Sequence, residues 1–537
     1  MKNIRLWSRW AVAAVLFTIA IAVHAQTYSV VYNFGDVFLD AAFPQYSGII
    51  AQGRDGNLYT TTPYGGTNDY GTVVRITPAG QATVLYNFNH TDPDEAFPFS
   101  GLTLGADGDL YGTTLGERAN LGGKVFKVTS NGQVTFLHTF AAGEGQHPFA
   151  PPILASDGNL YGTTTLGGKS GNGTVYRITP SGEFKTIASL DYKHGYYPIA
   201  PLIMGVDGNL YGTAWEGGTH GTGTVFRVTL KGAVTVLRSF DWASGAYPRA
   251  PLVQDNDGNL YGVADEGGTN GFGTMFRISP DRKFKVLHSL KASEGEYSAA
   301  GLVLGTDGNL YGNTYGASNN GTIYRITPAG EFSVLHAFDM VHGGHPEVTM
   351  TQHSGGVLYG DTVSGGVHSD GTFYTLDAGL PAFAKLVPNA AKTGSTVGIL
   401  GQGLNGATAV SFNGKAAPFN LVSDTFLTAT VPNGATTGPV KVTLGGNSLS
   451  SYRNFQVVPV ITSFSPSSGQ VGTQVTITGV SLSQTSLVEF GSTTASFTVN
   501  SDKQVTATVP ANAKSAKITI TTAGGTAVSS ASFTVTP

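Results

Sequence analysis

Two charged residue types recur at fixed spacing along much of this 537-residue chain. Asp55, Asp107, Asp157, Asp207, Asp257 and Asp307 form one series. Arg75, Lys127, Arg177, Arg227, Arg277 and Arg325 follow them 18–20 residues later. Such matched rings hold a fold together by ion pairs, or the basic ring binds anions. The structural reading is favoured, because one further unit lacks both partners at once, with Gly355-Gly356 and Thr375 in their places.

Other residues carry possible chemistry singly. Asp255-x-Asp257-x-Asn259, with Glu266 eleven residues after Asp255, mimics the acidic spacing of a calcium loop. Leu260 holds the position where an EF-hand needs glycine, and no helices flank it. No metal site is therefore assigned, and Asp255 and Asp257 are the residual candidates. His342, His345, His353 and His368 crowd one unit, but a metal would need three of them to converge; they are read as scattered histidines. His138, His288 and His336 share a repeat position that Tyr86, Ala188 and Arg238 fill elsewhere, which marks a packing site. Glu216, Asp265 and Glu266 are carboxylates that acid–base chemistry would use. No G-x-S-x-G, H-E-x-x-H or Walker pattern accompanies them, so no catalytic residue is assigned. Aromatic residues suited to stacking on a ligand are Trp215, Trp242, Tyr197, Tyr247, Tyr64 and Tyr315. Trp215 and Trp242 break the pattern of their units. Aromatic-Pro steps such as Tyr197-Pro198 recur, which favours packing at that position.

The elements that position these residues come from a repeat. The motif D-G-N-L-Y-G, or a near copy, places a tyrosine at Tyr59, Tyr111, Tyr161, Tyr211, Tyr261, Tyr311 and Tyr359, about every 50 residues. In the unit from 250 to 290, four short apolar runs stand at 251–254, 259–264, 273–279 and 284–290. We call these strands A, B, C and D. An Asp-Gly turn joins A to B, and a turn of the type Thr179-Pro180-Ser181-Gly182 joins C to D. Four antiparallel strands per unit predict an all-β fold with a seven-bladed β-propeller. The seventh unit supplies only A, B and C, and residues 28–34 read as a D strand, so the N-terminal strand is expected to close the propeller. The A–B and C–D turns then define a tight bottom. The longer B–C links (115–123, 215–223, 265–273) and D–A links (191–197, 241–247) define a top, where function usually sits.

Residues 382–459 and 460–537 are two copies with a gapless offset of 78. Gly394 matches Gly472, Phe412 matches Phe490, and Thr428–Pro432 matches Thr506–Pro510. Short Val- and Thr-rich alternating runs predict two immunoglobulin-like β-sandwiches. The run 382–387 is the counterpart of 460–465 and so belongs to this region, not to the propeller.

The stretch I-T-S-F-S-P-S-S-G-Q-V-G-T-Q-V-T-I-T-G from Ile461 to Gly479, with S-D-K-Q-V-T-A-T-V-P later, resembles an IPT/TIG immunoglobulin-like domain. The first copy departs at its start, with Lys385-Leu386-Val387-Pro388. The unit D-G-N-L-Y-G-T-t-x-x-G-G-x-x-G-x-G-T-V-F-R-I-T-P-x-G resembles the GloVer tandem repeats of bacterial exported proteins, over residues 28–376. That family is defined by its repeat and not by a shared activity. The resemblance implies export and a surface or extracellular role, and names no reaction.

Composition agrees. The 74 glycines point to many turns, and the absence of cysteine excludes disulfides and thiol chemistry. Lys2, Arg5 and Arg9 precede an apolar run and Val23-His24-Ala25, which predicts a signal peptide over 1–25. Its removal makes the formal charge of −4 more negative. With no basic cluster, nucleic acid is not an expected partner, and no membrane span is expected in the mature chain. No cofactor is implied. The expected domains are 1–25 signal peptide, 26–380 propeller, 381–459 and 460–537 IPT/TIG-like. The expected function is binding or adhesion to a polysaccharide or surface protein, secreted or at the cell surface. The alternatives are a polysaccharide-degrading hydrolase or lyase using Glu216, Asp265 or Glu266, and a mainly structural surface protein. Replacing Arg227 by Ala is expected to lower the melting temperature and leave ligand binding alone; an unchanged melting temperature would refute the structural role of the ring.

Overall fold

The structure, a computed structural model, describes residues 26–35, 41–42, 48–89, 91–116, 122–141, 143–316 and 319–537. The expected signal peptide lies outside these residues, as do residues 117–121 of the 115–123 link.

Among the described residues, the repeat region folds into seven four-stranded antiparallel sheets. The fifth is typical: Val253–Gln254, Leu260–Ala264, Thr274–Ile278 and Phe284–Ser289, in that order. Strands B are buried along their whole length, whereas strands D are only half-buried, which places D at the outer edge. Short A strands of neighbouring sheets pack side by side, as Ile153–Leu154 does with Thr103–Leu104 and with Ile203–Met204.

The seventh sheet is built from both ends of the region. Thr351–Gln352, Leu358–Thr362 and Thr372–Asp377 are its A, B and C strands, and Thr27–Asn33 pairs antiparallel with the third. Tyr28 stands opposite Leu376, as Phe184 stands opposite Ile178 in the third sheet.

Each core between sheets joins two neighbours. Tyr111 and Val125 of the second sheet pack with Leu160 and Tyr176 of the third, and similar clusters follow along the chain. One further cluster unites the seventh sheet with the first, through Phe34, Tyr359 and Phe373 against Ile50, Leu58 and Val74. Hydrogen bonds repeat the pattern. Gln254 Oε1 accepts from Val206 N at 2.8 Å, and Gln352 Oε1 from Thr306 N at 3.2 Å. Gln52 Oε1 accepts from Ser354 N at 2.9 Å, the same device between the last sheet and the first.

The tolerant D-strand position is an inter-sheet stack. His138 lies on Phe184 with ring centroids 3.8 Å apart, His288 on Phe332 at 4.4 Å, and His336 on Tyr28 at 3.7 Å. Arg238 sits over Phe284 at 4.3 Å. Any flat or apolar side chain serves there, which explains the variation between units.

The charged rings are built differently from the expected ion pairs. In five sheets the turn aspartate accepts the hydroxyl of its own repeat tyrosine, as Tyr59 to Asp55 at 2.7 Å, Tyr161 to Asp157 at 2.7 Å and Tyr211 to Asp207 at 2.8 Å. The basic residue stands across the strand pair from that tyrosine, as Arg227 does from Tyr211. Among the ring members only Lys127 and Asp107 come within ion-pair distance, at 3.8 Å. In the fifth sheet the acceptor is Asp255 rather than Asp257, with Tyr261 Oη at 3.0 Å and Asn259 Nδ2 at 2.9 Å. Burial and the carboxylate together push the Tyr261 hydroxyl up to about 12. In the seventh sheet Gly355 stands where the other turns carry the aspartate, and Tyr359 Oη donates instead to Pro78 O at 3.3 Å.

Two β-sandwiches follow, each with its own core, around Val397, Phe412 and Phe455 in the first and Val475, Phe490 and Phe533 in the second. The strand Lys385–Val387 pairs with Thr396–Leu400 inside the first sandwich. The first sandwich contacts the repeat region directly. It sits on the A–B turns: Thr425 Oγ1 donates to Arg54 O at 2.7 Å, Gln402 Nε2 to Ser354 Oγ at 3.2 Å, and Asn256 Nδ2 to Tyr452 O at 2.9 Å. Arg54 lies over the Phe426 ring at 4.5 Å.

The Tyr28→Ala variant is expected to lose about 2 kcal/mol of stability, the order for truncating a partly buried ring. His336→Ala should lose less, and the double variant less than the sum, because both delete one stack. Urea denaturation of the three variants measures this.

Candidate functional site

The top face is assembled from paired links. In each of several units the D–A link bridges the B–C link, as at Tyr196 with Glu216 and Ala246 with Glu266. The residue before each link proline has a left-handed backbone: Phe97, His147, Tyr197 and Tyr247, together with Tyr297 and His345, have φ between 55° and 60°. Bulky residues adopt this conformation at a cost of about 1–3 kcal/mol each. Both sides of the peptide are clamped: Tyr247 N donates to Thr222 O at 2.9 Å, and Trp215 N donates to Tyr197 O at 3.0 Å. The clamps hold these half-buried rings at one end of the sheets.

Four of the expected ligand-binding residues come together there. Trp215 lies 6.2 Å from Tyr197 and 6.3 Å from Tyr247, and Trp242 lies 6.4 Å from Tyr247, all between ring centroids. Tyr196 extends the strip at 3.9 Å from Tyr197, and Tyr192 extends it again at 6.4 Å from Tyr196. Trp242 and Tyr192 are about half exposed, at 51 % and 50 %, and Trp215 is 36 % exposed. The result is a continuous, accessible aromatic strip over the links on either side of the fourth sheet. Tyr192 occupies the same repeat position as Trp242, two residues after the end of the D strand's apolar run, and that equivalence is a signal the sequence did contain.

The other two aromatic candidates lie elsewhere. Tyr64 belongs to a cluster with Phe97 at 5.7 Å and Phe99 at 6.1 Å. Tyr315 rests against His345 at 4.8 Å.

The carboxylates differ in setting. Asp265 is buried, and its Oδ2 lies 3.0 Å from Arg249 Nε. Burial pushes its carboxyl up to about 6, against the opposing pull of Arg249. Glu266 and Glu216 lie in the link bridges beside the strip. A further buried acid, Asp361, replaces the threonine of other B strands; Thr213 Oγ1 donates to Ala250 O at 2.9 Å, whereas neither Asp361 oxygen has a hydrogen-bond partner. Burial raises the Asp361 carboxyl well above its ordinary range.

The histidines do not gather into a metal site. His342 bonds Asp339 at 2.8 Å, His345 bonds Ser364 Oγ at 2.8 Å, and His353 bonds Gly56 O at 3.0 Å. Among the described residues no group of three potential ligands could hold a metal ion, Asp255 and Asp257 included. No described helix is long and apolar enough to cross a membrane.

These features define an all-β, propeller-like protein with an aromatic face and two immunoglobulin-like modules. The chain belongs to the Gloeobacter/Verrucomicrobia repeat family, whose model matches residues 12–218, 98–319 and 202–409. Two IPT/TIG domains match at residues 381–457 and 459–536. A comparison with curated proteins finds no match. Among solved structures, a gluconolactonase from Xanthomonas campestris is 15 % identical, with 68 % of this chain and 93 % of that one covered and a TM-score of 0.37. A putative 6-phosphogluconolactonase from Bacteroides uniformis is 14 % identical, covering 57 % and 89 %, with a TM-score of 0.40. A surface glycan-binding protein from Prevotella bryantii is 20 % identical, covering 27 % and 38 %, with a TM-score of 0.22.

Asp265 makes stability depend on pH. Its carboxyl ionises near 3.8 when unfolded and near 6 when folded. The folded state therefore keeps a proton that the unfolded state loses, so stability falls as pH rises through that window. The Asp265→Asn variant is expected to lack this decline, read as the change in urea midpoint between the two ends of the window.

Proposed function

We propose that this is an exported protein of the cell surface or surroundings that binds a polysaccharide along the Tyr192–Trp242 strip. The observation that carries the reading is the continuity of that strip: five ring contacts, with three of its members at least one-third exposed. A row of rigid, amphipathic rings suits the faces of successive sugar rings, at little entropic cost on binding. Glu216 and Glu266 at its border supply acceptors for hydroxyl groups.

In this proposal the seven sheets form a closed seven-bladed propeller, with Thr27–Asn33 completing the last blade. Support comes from the cluster joining the seventh sheet to the first and from the repeated glutamine bond at that junction. Residues 1–25 are the export signal, 26–380 the propeller, and 381–459 and 460–537 the two IPT/TIG-like domains. The first of these braces the bottom, which leaves the aromatic top as the binding face; the second is available for attachment. A surface protein is the other partner that such aromatic anchors fit.

Glycan-array screening followed by titration calorimetry tests the reading. Trp242→Ala and Trp215→Ala are each expected to weaken binding of the best glycan by roughly tenfold or more, the size of an aromatic hot spot. Tyr64→Ala should leave it unchanged. Equal affinity in all three variants would refute the strip as the site. Release of reducing or unsaturated ends from the bound polysaccharide would instead favour a cleaving enzyme.

A further inference from the structure

A second site lies where the first sandwich meets the A strands. An open cavity of about 350 Å³ lies between them. Its walls are apolar side chains on or beside the A strands, among them Ile49, Leu102, Ile153, Leu202 and Met204, and the sandwich contributes Lys385 and Arg453. No aspartate or glutamate lines it.

The two cations have no counter-ion. Lys385 makes no side-chain hydrogen bond or ion pair among the described residues, and the Arg453 Nε is buried without an acceptor. Arg453 leans on the neighbouring Tyr452 ring, 6.0 Å from its centroid. Lys385 is half-buried and lines the cavity, and burial pulls its amine down to about 8. A charge left unpaired in apolar surroundings is costly unless something compensates it.

The internal repeat isolates these two residues. At the offset of 78, Lys385 corresponds to Ser463 and Arg453 to Ala531. The second sandwich has the same fold and neither cation. At these two positions the cations occur only in the first copy, where both line the cavity. The sandwich does not need them for its own core, which is built from residues such as Val397 and Phe412.

We infer that this cavity binds an organic carboxylate with an apolar body, its carboxylate between Lys385 and Arg453 and its body against the A-strand walls. Charge-assisted bonds would satisfy both cations. The apolar walls would take up a short alkyl or aryl body, as ligand cavities of this size commonly do. The site is independent of the aromatic strip.

Titration calorimetry of the full chain near neutral pH decides it, with octanoate, acetate and 1-octanol as probes. Octanoate is expected to bind, and acetate and 1-octanol to bind at least roughly tenfold more weakly, one lacking the body and the other the charge. Lys385→Met and Arg453→Met should each weaken octanoate by roughly tenfold or more, whereas Trp242→Ala should not change it. Lys385→Met removes an unpaired buried charge at similar volume, so its melting temperature should not fall. Absence of octanoate binding, equal binding of 1-octanol or acetate, or unchanged binding in folded Lys385→Met would each overturn the inference.

Discussion

A sheet of four short strands has two apolar faces and cannot bury either by itself. Every sheet of this protein depends on the neighbour that covers it, and the core residues come in pairs drawn from successive repeats. Tyr111 and Val125 have no meaning without Leu160 and Tyr176. This constraint leaves the first and last sheets each with a face to cover, and the cluster around Phe34, Ile50 and Tyr359 joins them. It also explains the role of Tyr28, which brings an aromatic ring from the chain's beginning to the place where His336 needs one. The chain has no disulfides, so this mutual coverage and strand pairing hold the two ends.

The same repeat produces two unlike ends. At the turn end, an aspartate, an asparagine and a tyrosine hydroxyl lock a short hairpin. At the link end, bulky residues are forced into left-handed backbone by clamps from both sides. That cost is met by the surrounding hydrogen bonds, and its product is a set of rings presented to solvent. The units vary little in their strands and much in their links, so differences in chemistry collect at one end.

Much of this was legible in the chain. The period of the Leu-Tyr-Gly strand gave seven sheets with nearly correct strand limits, and the register of the two C-terminal copies assigned Lys385–Val387 to the first sandwich. The loss of both Asp and Arg from the seventh unit was visible. Side-chain spacing along strands does not reveal that a tyrosine hydroxyl, not an arginine, would reach the turn carboxylate, nor that Asp255 would displace Asp257 in one unit. The packing role of His138, His288 and His336 could be read from what replaces them. Trp215, Trp242, Tyr197 and Tyr247 were recognised as singular or recurrent, whereas Tyr192 was overlooked although it aligns with Trp242.

Sequence alone determined the elements, because strand, turn and repeat are set by local patterns of apolar residues, glycine and Asp-Gly steps. It also marked the residues that depart from the pattern. Tertiary structure decided which departures meet. Trp215 and Trp242 lie 27 positions apart and share Tyr247 as a neighbour. Lys385 and Arg453 come from opposite ends of one module and line a single cavity against residues as distant as Ile49. Such meetings depend on how sheets and modules pack, and packing is governed by the shapes of surfaces that no local pattern contains.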